Sequence, residues 1–458
     1  MSAPPLELAE RALEHGTGQT QVTVIGERSL TSRFARSRST QVTAVDDTTV
    51  EFLCVTDGHT STATTNALDD DSLRDAARRA AAAAEAAART HGKPGGYPGL
   101  PVPAETPVRP SDGHDPATAE LGPALAGSAL QAAFTLAERR GLEAFGIWTA
   151  GEVSTAIATS AGTSVHEAVT DAHMRVIARD PGGRSGFASH TSMRSADLDG
   201  ESLLRRAADR VDLREPLTLP PGEYPVVLEA EAVGILLDFL GALAFNGLAH
   251  AQGRGALVDR LGTSVAAPAV NLADSPRYPS TLRRAFDAEG VPKRPLPLIQ
   301  DGVANAVVHD TRSAAAAGGE ARSTGHALAA GGDPEGPVPT NLVLVGGGAA
   351  DEHELAAPIE RGIYVTRLWY VNPVRERETL LTGTTRDGTF LIEDGRISSP
   401  LRDLRFTDSA LRLLAATEAL TATQRLVSEA DLYYRRFAHG QVCPALRAQG
   451  FRVTGATV

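Results

Sequence analysis

The stretch that decides the fold runs from residue 222 to residue 248 and reads GEYPVVLEAEAVGILLDFLGALAFNGL. Its early part, YPVVL, is a short apolar run with β-branched residues, which is typical of a strand. The residues from about 228 to 248 are long enough for a helix and are apolar on most of its circumference. A helix with so narrow a polar strip buries its surface inside its own domain or against a partner. The sequence therefore predicts a strand followed by one long buried helix.

The residues before this stretch predict a domain that contains both helices and strands. Residues 69–90 open with aspartates, continue in alanines and are followed by Gly92, which is the pattern of a complete helix. Shorter helices are expected at 5–15, 123–140 and 199–210. Between them lie segments with alternation and many β-branched residues, which indicate strands: QVTVIGE from residue 21, STQVTAVDDTTVEFLCV from residue 39 and FGIWTAGEVSTAIAT from residue 145.

Two proline-rich stretches divide the chain. Residues 93–116 hold seven prolines, which predicts an extended connector or a long surface loop. The second stretch, LREPLTLPPGEYP, sets a domain boundary near residue 215, so the expected domains are 1–215 and 216–458. Beyond the long helix, short strands with glycine-rich turns dominate. Helices mixed with strands, followed by mostly strands, predict the α+β class.

Bulk composition excludes several classes of function. A chain of 458 residues is expected to fold as two domains, and its net charge of -12 disfavours nucleic acid or an anionic membrane as a partner. No run of about 18 apolar residues is present, and the amino-terminal residues lack the pattern of a signal peptide. Cys54 and Cys443 cannot form a disulfide framework or a four-thiolate zinc site. We therefore expect a reduced cytoplasmic protein.

The segment HEAVTDAH, from His166 to His173, is similar to the start of a zinc-binding HExxH motif. That motif requires two histidines four residues apart on one face of a helix. Here the fourth position after His166 is Thr170 and the fifth is Asp171. The surrounding residues alternate and are β-branched. We therefore expect these side chains to lie on the surface of a strand and not to bind a metal.

The segment EAEAVGI, from Glu229 to Ile235, resembles the TldD/PmbA family of peptidases, which are also known as modulators of DNA gyrase. The other matching blocks, in chain order, are SRFA (32–35), STQ (39–41), TTNALD (64–69), FDAEGVP (286–292), PLIQDGV (297–303), STGHA (323–327), PTN (339–341), RGIYVT (361–366), LTG (381–383) and FLIEDG (390–395). Single blocks of this kind are weak evidence. Their common order over nearly the whole chain makes the resemblance specific.

The resemblance also implies that this chain carries no metal. In the catalytic branch of the family the matching position reads HEAVGH, which is an HExxxH zinc motif. Here Ala230 replaces the first histidine and Ile235 the second, and Glu231 remains as a vestige of the motif. A lone glutamate does not hold zinc, because catalytic sites typically use three protein ligands. The catalytic branch adds a cysteine near the carboxyl end, but Cys443 lies too close to the closing strand and is expected to be a packing residue.

The family relationship implies a two-domain α+β protein that pairs with a second subunit around an enclosed cavity. In that arrangement the TldD-type subunit supplies zinc, and the substrate is an unfolded or leader-type peptide. An extended peptide can bind by adding a strand to a sheet edge. We therefore expect residues 361–367 and 380–384 to be edge strands. The candidate substrate-binding residues are Tyr364, Thr366, Thr382 and Gly383.

These observations favour a non-catalytic, TldE-like subunit of a TldD/TldE zinc metallopeptidase complex that cleaves unfolded or leader peptides. The expected assembly is a heterodimer with a TldD-type subunit, or a homodimer when the chain is alone. Two alternatives remain open. One is an enzyme in its own right, recruited to peptide or natural-product tailoring with a metal-free site. The other is a homodimeric peptide-binding protein without catalysis.

Overall fold

The computed structural model describes residues 4–91, 95–428 and 435–456. Gly92, where the alanine-rich helix is predicted to end, lies outside the described residues, and so do residues 93 and 94 of the proline-rich connector. The described residues of the connector, 95–116, form no strand. A single helical turn, Pro116–Ala119, begins at the last of them. None of the helices within the described ranges is long and apolar enough to cross a membrane.

The first half of the described chain forms a six-stranded antiparallel sheet. Its strands are β1 (Gln19–Ala35), β2 (Arg38–Thr56), β3 (His59–Thr65), β4 (Glu143–Thr159), β5 (Ser164–Arg179) and β6 (Ser185–Ser192). They lie in the order β3-β2-β1-β4-β5-β6, so two three-stranded meanders meet where β1 pairs with β4. The alternating segments of the sequence therefore became the long strands that they predicted.

Helices cover one face of this sheet. They are α1 (Pro5–Leu13), α2 (Asp70–His91), α3 (Pro116–Ala119), α4 (Pro123–Arg139) and α5 (Gly200–Ala208). One core joins Leu73 of α2 to Phe52 of β2, and a second joins Leu204 of α5 to Trp148 of β4. The opposite face of the sheet meets loops of the second half, where Gln21 Nε2 donates to the Ala288 carbonyl at 2.8 Å. All the helices expected in this half are confirmed, each within a few residues.

The second half contributes an eleven-stranded mixed sheet to the described structure. Its strands are β7 (Gly222–Leu228), β8 (Leu272–Asp274), β9 (Leu296–Gln300), β10 (Val303–Ala304), β11 (Leu342–Leu344), β12 (Arg361–Arg375), β13 (Leu380–Glu393), β14 (Arg396–Pro400), β15 (Leu404–Ser409), β16 (Thr417–Val427) and β17 (Gln441–Ala456). The main path runs β10-β9-β8-β11-β17-β15-β13-β12-β7, and β7 pairs again with β17. Five strands therefore form a closed ring, and β17 contacts β7, β11, β15 and β16. The α+β class is confirmed.

The long apolar helix is the centre of the second core. The helices of this half are α6 (Ala230–Ala244), α7 (Gly247–Ala251), α8 (Thr311–Ala317), α9 (Glu352–Ala356) and α10 (Ala410–Ala415). Leu236, Leu237 and Leu240 of α6 are buried against β12 and β17. The helix is shorter than the predicted 228–248, because the backbone leaves the α conformation at Phe245 and the Asn246 side chain caps α7 instead.

The prediction of edge strands at 361–367 and 380–384 is wrong. Strand β12 lies between β13 and β7, and β13 lies between β12 and β15. Residues 363–365 and 380–384 are therefore interior, because each of these segments pairs with a strand on both sides. Glycines beside a strand indicate turns or close packing but carry no information about how many neighbours the strand has. At Gly383 the reason is packing, since a Cβ would come within 2.9 Å of the Phe406 ring.

Candidate functional site

The start of α6 is held by side chains from both halves of the chain. Glu229 lies just before the helix, is 1% exposed and accepts from Arg210 Nε at 2.9 Å and Nη2 at 2.5 Å. The hydroxyl of Tyr364, on β12, donates to the same carboxylate. Arg210 follows α5, which packs on the first sheet. This buried ion pair therefore joins the first sheet to the first turn of α6.

Glu231 points from α6 towards the first sheet. Its Oε1 accepts a hydrogen bond of 2.8 Å from Ser189 Oγ on β6. Burial raises the pKa of the Glu231 carboxyl, whereas the Ser189 hydrogen bond and Arg206 act in the opposite direction. Glu231 is thus a buried acid that is engaged with a neighbouring strand.

Cys443 contacts the same helix from β17. Its Sγ donates to the Ala230 carbonyl at 3.3 Å, and burial raises the pKa of its thiol well above the usual value. A protonated, buried thiol with an acceptor behaves as a small packing group. The structure therefore places Cys443 directly against the first turn of α6, at Ala230.

The residues at this position do not fit a zinc ion. The side chains of Ala230 and Ile235 have no donor atoms, and on a regular helix two positions five residues apart lie about 140° out of phase. The remaining glutamate is hydrogen-bonded to Ser189. Within the described ranges, no group of three or more His, Cys, Asp or Glu side chains is arranged to hold a metal. No chemical step through a metal follows from this chain.

Two of the four candidate substrate-binding residues lie near α6. Tyr364 is buried against Glu229, and burial followed by the charge of Glu229 raises the pKa of its hydroxyl. Thr366, two residues along β12, is fully buried, and its Oγ1 has no hydrogen-bond partner among the described atoms. Neither hydroxyl faces an open sheet edge. Their role in substrate binding stays a prediction.

The other two candidates lie far from the start of α6. Thr382 and Gly383 are on β13, where Phe390 is the residue paired with Tyr364. Phe390 follows Thr382 by eight positions, which corresponds to roughly 25 Å along a strand. Thr382 Oγ1 donates to the Phe406 carbonyl at 3.0 Å, which is a contact within the sheet. The structure does not bring the four candidates together.

The histidine-containing segment of β5 is a strand, as expected, but most of it is not on the surface. His166 is exposed, whereas Asp171 and His173 are buried. Asp171 binds Arg436 Nε and Nη2, both at 2.7 Å. His173 Nδ1 lies 2.9 Å from Thr191 Oγ1, and burial lowers the pKa of His173 to about 3. The surface prediction failed because helices cover one face of the sheet and loops of the second half cover the other.

A second polar centre was missed by the sequence reasoning. It borders a cavity of about 260 Å³ between the first sheet and the loops of the second half. Lys293 Nζ and His326 Nε2 lie 3.3 and 3.2 Å from Asp274 Oδ1, and all three side chains are buried. Burial lowers the pKa of Lys293. Burial would raise the pKa of Asp274, but Lys293 and His326 hold it well below its usual range. The available signal was composition, because Lys293 is one of only two lysines among 44 basic residues.

Comparison with known families identifies the fold that contains both polar centres, the one at the start of α6 and the one around Lys293. Residues 221–455 match the PmbA/TldA metallopeptidase C-terminal domain, and residues 115–214 match the central domain of the same family. The chain belongs to the PmbA/TldD metallopeptidase family. Arg210 and Ser189 lie in the matched central domain, whereas Glu229, Glu231 and the Lys293 centre lie in the C-terminal one. The α6 centre is therefore built where the two family domains meet.

Individual relatives agree with this family. A metalloprotease of Methanothermobacter thermautotrophicus is 27% identical over 230 residues, which are 50% of this chain and 49% of the relative. The metalloprotease slr0863 of Synechocystis is 26% identical over 274 residues, or 58% of each chain. The chain thus spans about half the length of these curated relatives.

Solved structures show the same fold over nearly the whole chain. TldE from Thermococcus kodakarensis superposes with a TM-score of 0.84 at 19% identity, covering 98% of this chain and 99% of the other. A Thermotoga maritima protein named as a modulator of DNA gyrase gives a TM-score of 0.82 at 20% identity, with the same coverage. At these identities the likeness establishes the PmbA/TldD fold alone.

Proposed function

We propose that the chain is a non-catalytic, TldE-like subunit of a zinc metallopeptidase complex that cleaves unfolded or leader peptides. One observation carries the proposal: Ala230 and Ile235, which the family resemblance aligns with the zinc ligands, have no metal-binding atoms, and Ser189 engages Glu231. A TldD-type partner supplies the zinc, and this chain completes the chamber. The complex works in the reducing cytoplasm, which agrees with the two free, buried cysteines.

The test is reconstitution with a TldD-type partner that carries HExxxH. The isolated chain should contain no stoichiometric zinc by elemental analysis and should not cleave an unstructured peptide. The mixed complex should hold the zinc of its partner and cleave that peptide. Glu231→Gln in this chain should leave turnover almost unchanged, since a glutamine still accepts the Ser189 hydrogen bond. The matched control is the same substitution in the HExxxH motif of the partner, which should abolish turnover.

Two results would overturn the proposal. One is about one tightly held zinc per isolated chain. The other is loss of turnover on Glu231→Gln while gel filtration shows that the complex remains assembled. Either result would make this chain a direct contributor to the chemistry.

The Lys293 centre favours a second candidate, a metal-free activity of the chain itself. A buried lysine whose pKa burial lowers, beside an ionised aspartate and a cavity, is a recurrent arrangement at active sites. In that case the isolated chain should change the mass of a peptide substrate without a partner. Lys293→Met should remove that activity and Arg294→Met, at the exposed neighbouring position, should retain it. An inert isolated chain would remove this candidate.

A further inference from the structure

Two arginines beside α6 form a cationic site in which the buried Glu231 is the neighbouring carboxyl that they share. We propose that Arg206 and Arg425 bind a carboxylate of the peptide substrate at the position where the catalytic branch of the family holds its metal. This inference rests on the proposed function for the peptide nature of the ligand. The site itself rests on the contacts of the two guanidinium groups.

Arg206 approaches Glu231 from α5. Its Nη1 lies 3.4 Å from the Ser189 carbonyl, and the hydroxyl of Ser189 donates to Glu231. The guanidinium is therefore next to the first turn of α6. In the described part of the chain, no carboxylate lies within ion-pairing distance of Arg206. Among the described residues, its guanidinium makes one long hydrogen bond to a neutral acceptor, which leaves most of its donors available.

Arg425 approaches the same place from β16. It pairs directly with Cys443 of β17, and directly opposite residues of an antiparallel pair project to the same face of a sheet. Cys443 reaches the Ala230 carbonyl, so Arg425 projects towards the start of α6 as well. Its Nη1 is buried and has no hydrogen-bond partner among the described residues. A buried donor without an acceptor is costly and calls for an acceptor from outside.

The local charges do not balance. Glu229 is occupied by Arg210 and Tyr364, which leaves Glu231 as the carboxyl that faces both arginines. Burial, and then the charge of Arg425, lowers the pKa of Arg206 to about 10, which agrees with two cations held close together. The amino terminus of α6 adds partial positive charge. Two guanidinium groups and a helix terminus therefore meet one buried acid.

A carboxylate is the ligand that this geometry fits. Guanidinium groups present paired donors that match the two oxygens of a carboxylate. Both arginines are partly exposed as whole residues, whereas Arg425 Nη1 itself is buried. A peptide offers a carboxylate either on an acidic side chain or at its carboxyl terminus. The two sources share one chemistry and are separated by the experiment.

The experiment measures the binding of labelled Gly/Ser peptides to the isolated chain by fluorescence anisotropy. One peptide carries a central Glu and a terminal amide, the second a central Gln and a terminal amide, and the third a central Gln and a free terminal carboxylate. A charged hydrogen-bond pair should strengthen binding by about tenfold or more over the uncharged peptide. Tighter binding of the first peptide assigns the side chain as the source, and tighter binding of the third assigns the terminus.

Arg206→Gln and Arg425→Gln should each remove this preference. The matched control is Arg205→Gln on the same helix, whose partner is the exposed Glu201, and it should keep the preference. Arg425→Lys retains the charge without the paired donors and should keep only part of it, which serves as the second variant if a glutamine variant fails to fold. Equal binding of the three peptides, no binding, or an unchanged preference in folded Arg206→Gln and Arg425→Gln would overturn the site.

The partner subunit is absent from this experiment. An inactive complex together with selective peptide binding would therefore refute the proposed peptidase role and leave the site intact. An active complex without selective binding would do the reverse.

Discussion

Replacing Arg210 by alanine should destabilise the protein far more than replacing its helical neighbour Arg205. Arg210 is 17% exposed and its partner Glu229 is 1% exposed, so the substitution leaves a buried carboxylate with Tyr364 as its remaining partner. Breaking a buried ion pair on one side typically costs about 3–5 kcal/mol. Arg205 and Glu201 are about half exposed, and a pair of that kind contributes about 0.5 kcal/mol.

The assay is equilibrium unfolding in urea, followed by circular dichroism. The double variant Arg210→Ala/Glu229→Gln removes the uncompensated charge and should therefore be more stable than the sum of the two single losses predicts. Such non-additivity is the expected signature of a direct contact. If Arg210→Ala destabilised the protein no more than Arg205→Ala, or if the two single losses simply added, the reasoning would be refuted.

Gly234→Ala should cost about 1–3 kcal/mol of unfolding free energy, because the new Cβ would lie 2.6 Å from Val427 Cγ1. In the control Gly127→Ala, on α4, the new Cβ meets nothing within 4 Å, so this substitution should be neutral or stabilising. Equal effects of the two substitutions on stability would contradict the packing argument. Burial raises the pKa of Glu289 to about 8, against about 4.3 when unfolded. Stability should therefore fall as the pH rises between those values, and Glu289→Gln should flatten that part of the profile, so an unchanged profile would count against this assignment. Light scattering with the protein at tens of micromolar should show a dimer, since obligate interfaces bury on the order of 2,000 Å² or more. A monomer mass would refute the hypothesis that two subunits enclose a cavity.

Local signals in the sequence were sufficient for the helices. In α2, aspartates at the start and alanines throughout act within a few residues of one another, so the prediction needs no knowledge of the fold. The end of α6 was harder to predict. The apolar pattern continues past Ala244, but Phe245 leaves the helix and the Asn246 side chain caps α7. Capping by a single side chain changes the boundary without changing the hydrophobic pattern.

Strand neighbours were beyond local reasoning. Tyr364 lies opposite Val227 of β7, which is 137 positions earlier in the chain. Nothing in the residues around Tyr364 encodes that partner, so the strand was expected to be an edge. The sequence did not reveal the Lys293 centre for the same reason, because Asp274, Lys293 and His326 come from three separate segments. Their charges are informative only once the fold places them within 3.3 Å.

Burial was also misjudged where a sheet is covered on both faces. The alternation around His173 predicted that these side chains lie on the surface of a strand. In the structure helices cover one face of the first sheet and loops of the second half cover the other, so Asp171 and His173 are both buried. The family resemblance, in contrast, depended on blocks spread along the chain and was confirmed over residues 115–214 and 221–455.

The position of β17 has a consequence for how the protein is made. This strand closes the ring through β7 and β15 and also pairs with β11 and β16, so it contacts strands that are synthesised long before it. Until residues 441–456 leave the ribosome, those strands keep unpaired edges. The first sheet needs no residue beyond Ser192 and can assemble earlier. The nascent second half therefore has unpaired strand edges, which favour aggregation, until β17 is synthesised. A first half that has already folded offers a surface against which the incomplete second half can pack.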